Sequence, residues 1–230
     1  MEQKNIDTST LFDRLHASFA VFTRIPGIQG HTAKRIETAI AHWPLTGWTT
    51  GAAQALVLWA GSYYLPWALT VALAVLVRAC ICPHPKLLAT RSMNLTLLII
   101  FELLISALYL RMDTHTAVAI ALAGGPYAHM VTSQMVAMLS YREDKETSMW
   151  HVAFRKYSTK AGLWLLAQGI VPLIIAVLVA GLDWYYLVFA PCVVMYFCYL
   201  LAIRQYGGYT VDLLLAVSAL LEAVVYIVVG

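Results

Sequence analysis

Charge is what this sequence has least of. Lysine, arginine, aspartate and glutamate make up 12% of its 230 residues, about half of the roughly 25% usual in soluble globular domains. Hydrophobic residues make up 61%, which leaves too little polar side chain to cover a water-facing surface and excludes a soluble globular fold. The net charge of +3 is too slight for the basic field that a nucleic-acid binder needs, so no nucleic-acid partner is expected. Cysteine is also scarce. Cys80, Cys82, Cys192 and Cys198 lie in or beside apolar runs and are expected as small buried hydrophobes rather than a disulfide framework. Cys80, Cys82 and His84 stand close in sequence, but no second pair completes a metal site. No secretory leader is expected, because Lys4, Asp13, Arg14, Arg24, Lys34 and Arg35 interrupt the first 40 residues. Repeats, low-complexity tracts and long linkers are absent, so residues 1–230 are expected to form one integral membrane domain.

What the sequence does have is apolar runs. A helix needs about 20 apolar residues to cross the ~30 Å hydrocarbon core of a bilayer. Seven runs approach that length, at 44–62, 64–82, 94–111, 115–140, 161–181, 183–203 and 210–229. The expected fold is therefore all-α: a polytopic transmembrane bundle of about seven spans. Gly124, Gly125 and Pro126 predict a kink or break in the fourth run. With the N-terminus in the cytoplasm, segments 1–43, 83–93, 141–160 and 204–209 face inward. They hold every lysine and arginine except Arg78 and Arg111. That bias fits the positive-inside rule, with Arg78 expected to snorkel towards the inner face. Residues 1–43 are expected to be a cytoplasmic or interfacial N-terminus. There Leu11, Phe12, Leu15, Phe19 and Phe22 form a helical stripe that lies on the inner leaflet or leads into the bundle.

A few polar residues interrupt the grease. Glu102 and Glu222 fall at mid-depth in the third and seventh runs. Each either bonds to a polar neighbour such as Gln54, Gln134, Gln168 or Ser218, or lines a polar cavity. His129, just after the Gly-Gly-Pro sequence, is either a buried hydrogen-bonded histidine or a third residue of that cavity. Asp212 opens the last run in "GGYTVDLLL". Thr210 can cap the first turn there, and Asp212 then sits at the positive end of the helix dipole. Alternatively, Asp212 is a hard oxygen ligand for Mg²⁺ beside a phosphorylated substrate. Arg24 is either an anchor among headgroups or a fork for a phosphate. The mixed loop 141–160, with Glu143, Asp144 and Glu146, reads as solvated.

Three stretches taken together resemble one family. "FTRIP" at Phe22–Pro26, "HWPLTGWTTGAAQALVLW" at His42–Trp59 and "GGYTVDLLLAVSALLEA" at Gly207–Ala223 are similar to signatures of cobalamin synthase, adenosylcobinamide-GDP ribazoletransferase. "GGPYAHMVTSQMVAMLSYRED", from Gly124, resembles that family's fourth-helix region. The resemblance implies a multi-pass enzyme of the inner (cytoplasmic) membrane. It would join adenosylcobinamide-GDP to α-ribazole or its 5′-phosphate, release GMP, use Mg²⁺ and work beside other corrinoid-pathway enzymes. On that reading Asp212 contacts the metal, Thr210 positions the substrate and Arg24 holds phosphate. The family's pattern also has an aspartate-rich stretch after the second run, whereas this chain has no aspartate from Val71 to Met112. The family's serine-arginine in the fourth run is Ala128-His129 here, and two glycines of the last signature are Val211 and Leu215. The competing expectations are a degenerate, non-catalytic member that scaffolds other enzymes, and a small-solute transporter using Glu102 and Glu222.

Overall fold

The computed structural model describes residues 15, 18–19, 21–24, 39–83, 91–142 and 157–230. Among these residues the seven long helices are α1 (Trp43–Tyr64), α2 (Trp67–Ile81), α3 (Arg91–Arg111), α4 (Thr114–Met138), α5 (Thr159–Ala180), α6 (Trp184–Leu201) and α7 (Val211–Val229). A 3₁₀ turn, Ala39–His42, leads into α1, and a π turn, Ala202–Tyr206, extends α6. The helix ends carry the punctuation expected of them. Pro66 separates α1 from α2, Gly181 closes α5 at φ 64°, and Asp113 and Ser158 cap α4 and α5.

Each apolar run is a helix, and four are long and apolar enough to cross a membrane: Asn94–Arg111, Thr159–Ala180, Trp184–Tyr206 and Val211–Val229. Helix α2 is apolar but has only 15 residues. Helices α1 and α4 are long enough but carry more polar and small residues: α4 is buried along most of its length, and α1 packs one face against it. Helix α4 contacts α1, α5, α6 and α7, so its neighbours, rather than lipid, are its solvent.

The α1–α4 contact is the tightest in the bundle. Gly47 and Gly51 on α1 face Gly125 and Ala121 on α4. A Cβ on Gly47 would fall on the Gly125–Pro126 peptide, and one on Gly51 on the Ala121 carbonyl. Small residues four apart on both helices let the backbones touch, which is how helices associate where no hydrophobic force separates them from lipid. The expected break at Gly124–Pro126 is not there: α4 runs unbroken from Thr114 to Met138. The glycines serve close approach instead, with Gly125 against Gly47 and Gly124 against the Tyr226 ring.

These contacts are antiparallel, which sorts the loops into two ends. The turns at 64–67, 112–114 and 181–183 share one end with Gly230, whose neighbours include Met112. That end carries exposed Tyr63, Tyr64, Trp184, Tyr185 and Tyr186, the amphipathic aromatics that favour a membrane–water boundary. The other end holds residues 39–43, 81–83, 138–142, 157–159 and 206–210. There the π turn ends in Gly207 at φ 63°, in the left-handed region that glycine tolerates. Gly208 lies against the Ser140 carbonyl. Tyr209 N–H then donates to Ser140 O at 3.0 Å, and Arg142 N–H donates to Tyr209 O at 3.0 Å. The two loops are stitched together immediately before α7.

One expectation about individual residues needs correction, and one open alternative is decided. The cysteines are free, but Cys80 and Cys192 are exposed and Cys82 and Cys198 only half-buried. On lipid-facing helix surfaces a thiol needs no burial among protein to stay out of water. Of the N-terminal stripe, Leu11 and Phe12 lie outside the described residues. Phe22 is buried in the bundle, 5.0 Å from the Trp43 ring, so this part leads inward rather than lying on a leaflet.

Candidate functional site

Arg78 does not snorkel. It is 4% exposed and turned into the bundle, where its fork meets both mid-depth acids. Nη1 donates to Glu102 Oε1 at 2.7 Å, Nη2 to Glu222 Oε2 at 2.7 Å and Nε to Glu222 Oε1 at 3.4 Å. The Phe101 ring lies 5.0 Å from the guanidinium carbon. Glu222 also accepts from the Tyr226 hydroxyl at 2.8 Å. The planar fork explains the choice of partner. Two carboxylates at fixed angles satisfy it better at this depth than a stretch towards the interface would. The glutamates are therefore held by Arg78 and Tyr226. Gln134 instead accepts from Tyr157, and Gln168 donates to Ala41 and Trp164 carbonyls.

This cluster forms part of the wall of a cavity of about 290 Å³. Phe22, Cys82, Pro83 and Asn94 line it at the end of the bundle that carries Thr210, and Leu97, Leu98 and Phe101 give it an apolar flank. Glu102 lies eight residues beyond Asn94 on α3, about 12 Å deeper at helical rise. His129 and Ser218 complete the polar lining. Helix α7 contributes Leu215, Ala216, Ala219 and Glu222.

His129 is buried, with its ring 4.1 Å from Phe22. Its Nδ1 lies 3.0 Å from Trp43 O and 3.0 Å from Thr46 Oγ1. A carbonyl only accepts, and the Thr46 hydroxyl already donates to Trp43 O at 2.6 Å. The proton therefore sits on Nδ1, and Nε2 is left as the acceptor. Glu102 Oε2 is a second acceptor: it is buried and lacks a hydrogen-bond partner.

The remaining candidates lie at the same end but outside the cavity lining. Thr210 Oγ1 accepts from Leu213 N–H at 3.2 Å and caps α7. Asp212 occupies the first turn, half-buried. At 100° per residue it shares a face with Ala216 and Ala219, one turn nearer the helix start. Arg24 is exposed, and its backbone N–H donates to Ile81 O at 2.8 Å, which fixes it beside the end of α2. The structure thus gathers Glu102, Glu222 and His129 around one space, with Asp212, Thr210 and Arg24 towards the end above it. Glu143, Asp144, Glu146 and His84 lie outside the described residues.

The donor set among the described residues does not by itself form a site for the Mg²⁺ that the resemblance implies. Among the described residues no three His, Cys, Asp or Glu side chains come together as a metal site. Two of the acids are already bridged by a guanidinium, which occupies the place a cation would take. Sequence reasoning missed Arg78 as the partner, although one signal for it was present. Three opposite charges at depth in separate apolar runs seldom stay apart in a bilayer.

Comparison with known proteins adds one finding. Residues 14–82 match the family model of cobalamin-5-phosphate synthase. That stretch contains two of the three resembling segments, Phe22–Pro26 and His42–Trp59, together with Arg78. No curated protein and no solved structure matches the chain. The match covers less than a third of the chain and supports a role in cobalamin biosynthesis and a cobalamin synthase likeness over that stretch.

Proposed function

We propose that this chain serves the nucleotide-loop stage of cobalamin biosynthesis in the cytoplasmic membrane. Its reaction would join adenosylcobinamide-GDP to α-ribazole, or its 5′-phosphate, with release of GMP. The observation that supports this is convergence. Segments resembling the family and lying far apart in sequence meet around one cavity: Phe22 from the first, Trp43 and Thr46 (which hold His129) from the second, and Leu215 to Glu222 from the third. In the reaction a ribose hydroxyl oxygen attacks the corrinoid-side phosphorus. The phosphorus–oxygen bond to GMP breaks, and the hydroxyl proton passes to a base. His129, with Nε2 unprotonated, is suited to accept that proton. Arg24, at the end of the bundle, suits the diphosphate.

A second reading, a non-catalytic member that binds the acceptor without transferring to it, is favoured by the same acids. They are spent on Arg78, and no third carboxylate joins them among the described residues. One assay separates the two readings. Purified chain in lipid nanodiscs is given adenosylcobinamide-GDP and α-ribazole in a magnesium buffer, and GMP is followed. The transferase reading requires GMP release that depends on both substrates and falls at least about tenfold in Asp212→Asn, an effect near 1.4 kcal/mol on the barrier. Binding without GMP release from the folded protein selects the second reading.

A further inference from the structure

Helix α3 is packed against the bundle along only half of its length. Ile105, Leu108, Tyr109 and Met112 are buried, whereas no residue from Asn94 to Leu104 is. In that looser half Leu97, Leu98 and Phe101 line the cavity, and Ala216, Ala219 and Leu220 of α7 form a second wall. The space between them is a wedge. It closes away from the Thr210 end, where the Tyr109 and Tyr226 rings of the same two helices lie 5.2 Å apart. It also opens sideways, because Leu97 and Leu220, one on each wall, are 42% and 44% exposed. Both helices are long and apolar enough to cross a membrane, so these side chains face hydrocarbon rather than water.

We propose that this wedge is a binding site for one acyl chain of a membrane phospholipid, which enters sideways between α3 and α7 and leaves its headgroup at the Thr210 end. Depth supports this first. From Asn94 to Glu102 the wedge runs about 12 Å at helical rise, close to the ~15 Å of hydrocarbon in one leaflet. Width excludes a helix of a partner. A cavity of about 290 Å³ over that depth averages roughly 24 Å² in section, against roughly 80 Å² for a helix ~10 Å across. Water is disfavoured by the lining, since apolar cavities stay dry. The charges at the inner end do not repel a hydrocarbon chain. Arg78 bridges the two acids, and the Phe101 ring lies over its guanidinium, 5.0 Å from the carbon. An unfilled wedge would forfeit dispersion contacts along both walls, and a chain restores them. The assignment requires no reaction, so an active transferase and a non-catalytic member would hold the lipid alike.

The test is photolabelling of the full chain in phosphatidylcholine nanodiscs that contain a minor fraction of the same lipid with a diazirine midway along one acyl chain. Adducts are mapped by mass spectrometry. Leu98 and Ala219, on the two walls, should both carry them. So should Leu178 of α5, which is 77% exposed and does not line the wedge. Ala219→Phe fills the space and should lose the adducts at Leu98. Leu98→Trp fills it from the other wall and should lose those at Ala219, so one variant suffices if the other does not fold. Each should keep its adducts at Leu178, which shows that the variant is still embedded. Labelling of Leu178 with neither wall labelled overturns the proposal, and a wedge filled by water or by a second copy of the chain gives that result. Wall adducts that persist undiminished in the filled variants overturn it as well. GMP release, present or absent, bears on the transferase reading alone.

Discussion

Arg78 and Glu222, 144 positions apart in the chain, are joined side by side, with Nη2 to Oε2 at 2.7 Å and Nε to Oε1 at 3.4 Å. This pair ties the second helix to the last, and Glu102 ties the third to the second through the same guanidinium. Removing the shared cation strands two buried acids. Arg78→Met should therefore cost about 3–5 kcal/mol, as breaking a buried ion pair does. A triple replacement, Arg78→Met with Glu102→Leu and Glu222→Leu, should recover most of it, because no charge is left unpaired. Thermal unfolding in detergent measures both. A triple variant no more stable than Arg78→Met would mean that the cluster is not the source of the loss.

A second prediction concerns the α1–α4 contact. Gly47→Ala puts a methyl group onto the Gly125–Pro126 peptide, which cannot rotate away as a side chain could. Overpacking of this kind costs about 1–3 kcal/mol. Ala52→Leu, on the exposed face of the same helix, should cost less than about 0.5 kcal/mol. Equal melting temperatures for the two variants would remove the claim of backbone contact.

Much of this architecture was legible in the sequence. Helix positions follow from apolar length, which is why α3, α5, α6 and α7 lie where their runs do. The turn between α1 and α2 follows from Pro66, and the cap of α7 from Thr210. What was misread depended on three-dimensional partners. Gly124-Gly125-Pro126 looks like a breaker in isolation, and only the facing Gly47 and Gly51 show it to be a contact surface. Their four-residue spacing was nonetheless readable. Arg78 looks like an interfacial residue because it stands near the end of its run. Its inward turn is decided by Glu102 and Glu222, whose alignment no local pattern encodes. The cavity is harder still, since Phe22, His129 and Ala219 come from three separate segments.

The outer cap of α4 gives a pH-dependent prediction. Asp113 accepts from the Thr116 hydroxyl at 2.6 Å and from the backbone N–H groups of His115 and Thr116 at 2.9 and 3.1 Å. These bonds, that of the Thr116 hydroxyl foremost, hold its carboxyl below the ordinary value of 3.8. A carboxylate with a lowered folded pKa stabilises the fold above its unfolded pKa, and that contribution is lost as pH falls through the folded pKa. Asp113→Ala should cost about 1 kcal/mol at neutral pH, as lost N-caps do. Asp113→Asn, which still caps but does not titrate, should be closer to wild type, and its gap from wild type should close as pH is lowered past the carboxylate range. Unfolding followed from neutral pH into acid checks this. A constant gap would show that the Asp113 charge is irrelevant.

The last prediction fixes orientation. Arg24, Arg142, Lys160 and Arg204 lie at the Thr210 end, so a reporter active only in the cytoplasm should work when fused after Tyr209 and fail when fused after Tyr64, which lies at the opposite, aromatic-rich end. A periplasmic reporter should give the reverse. The energetic basis is the asymmetry of Lys and Arg in short loops, not net charge. Arg111, at the aromatic end, is a single exception. If the Tyr209 fusion reports from the far side, Arg24 and Asp212 face away from the pool of nucleotide substrates. The proposed transfer of a phosphoryl group from a GDP conjugate then loses its source, whatever the cavity binds.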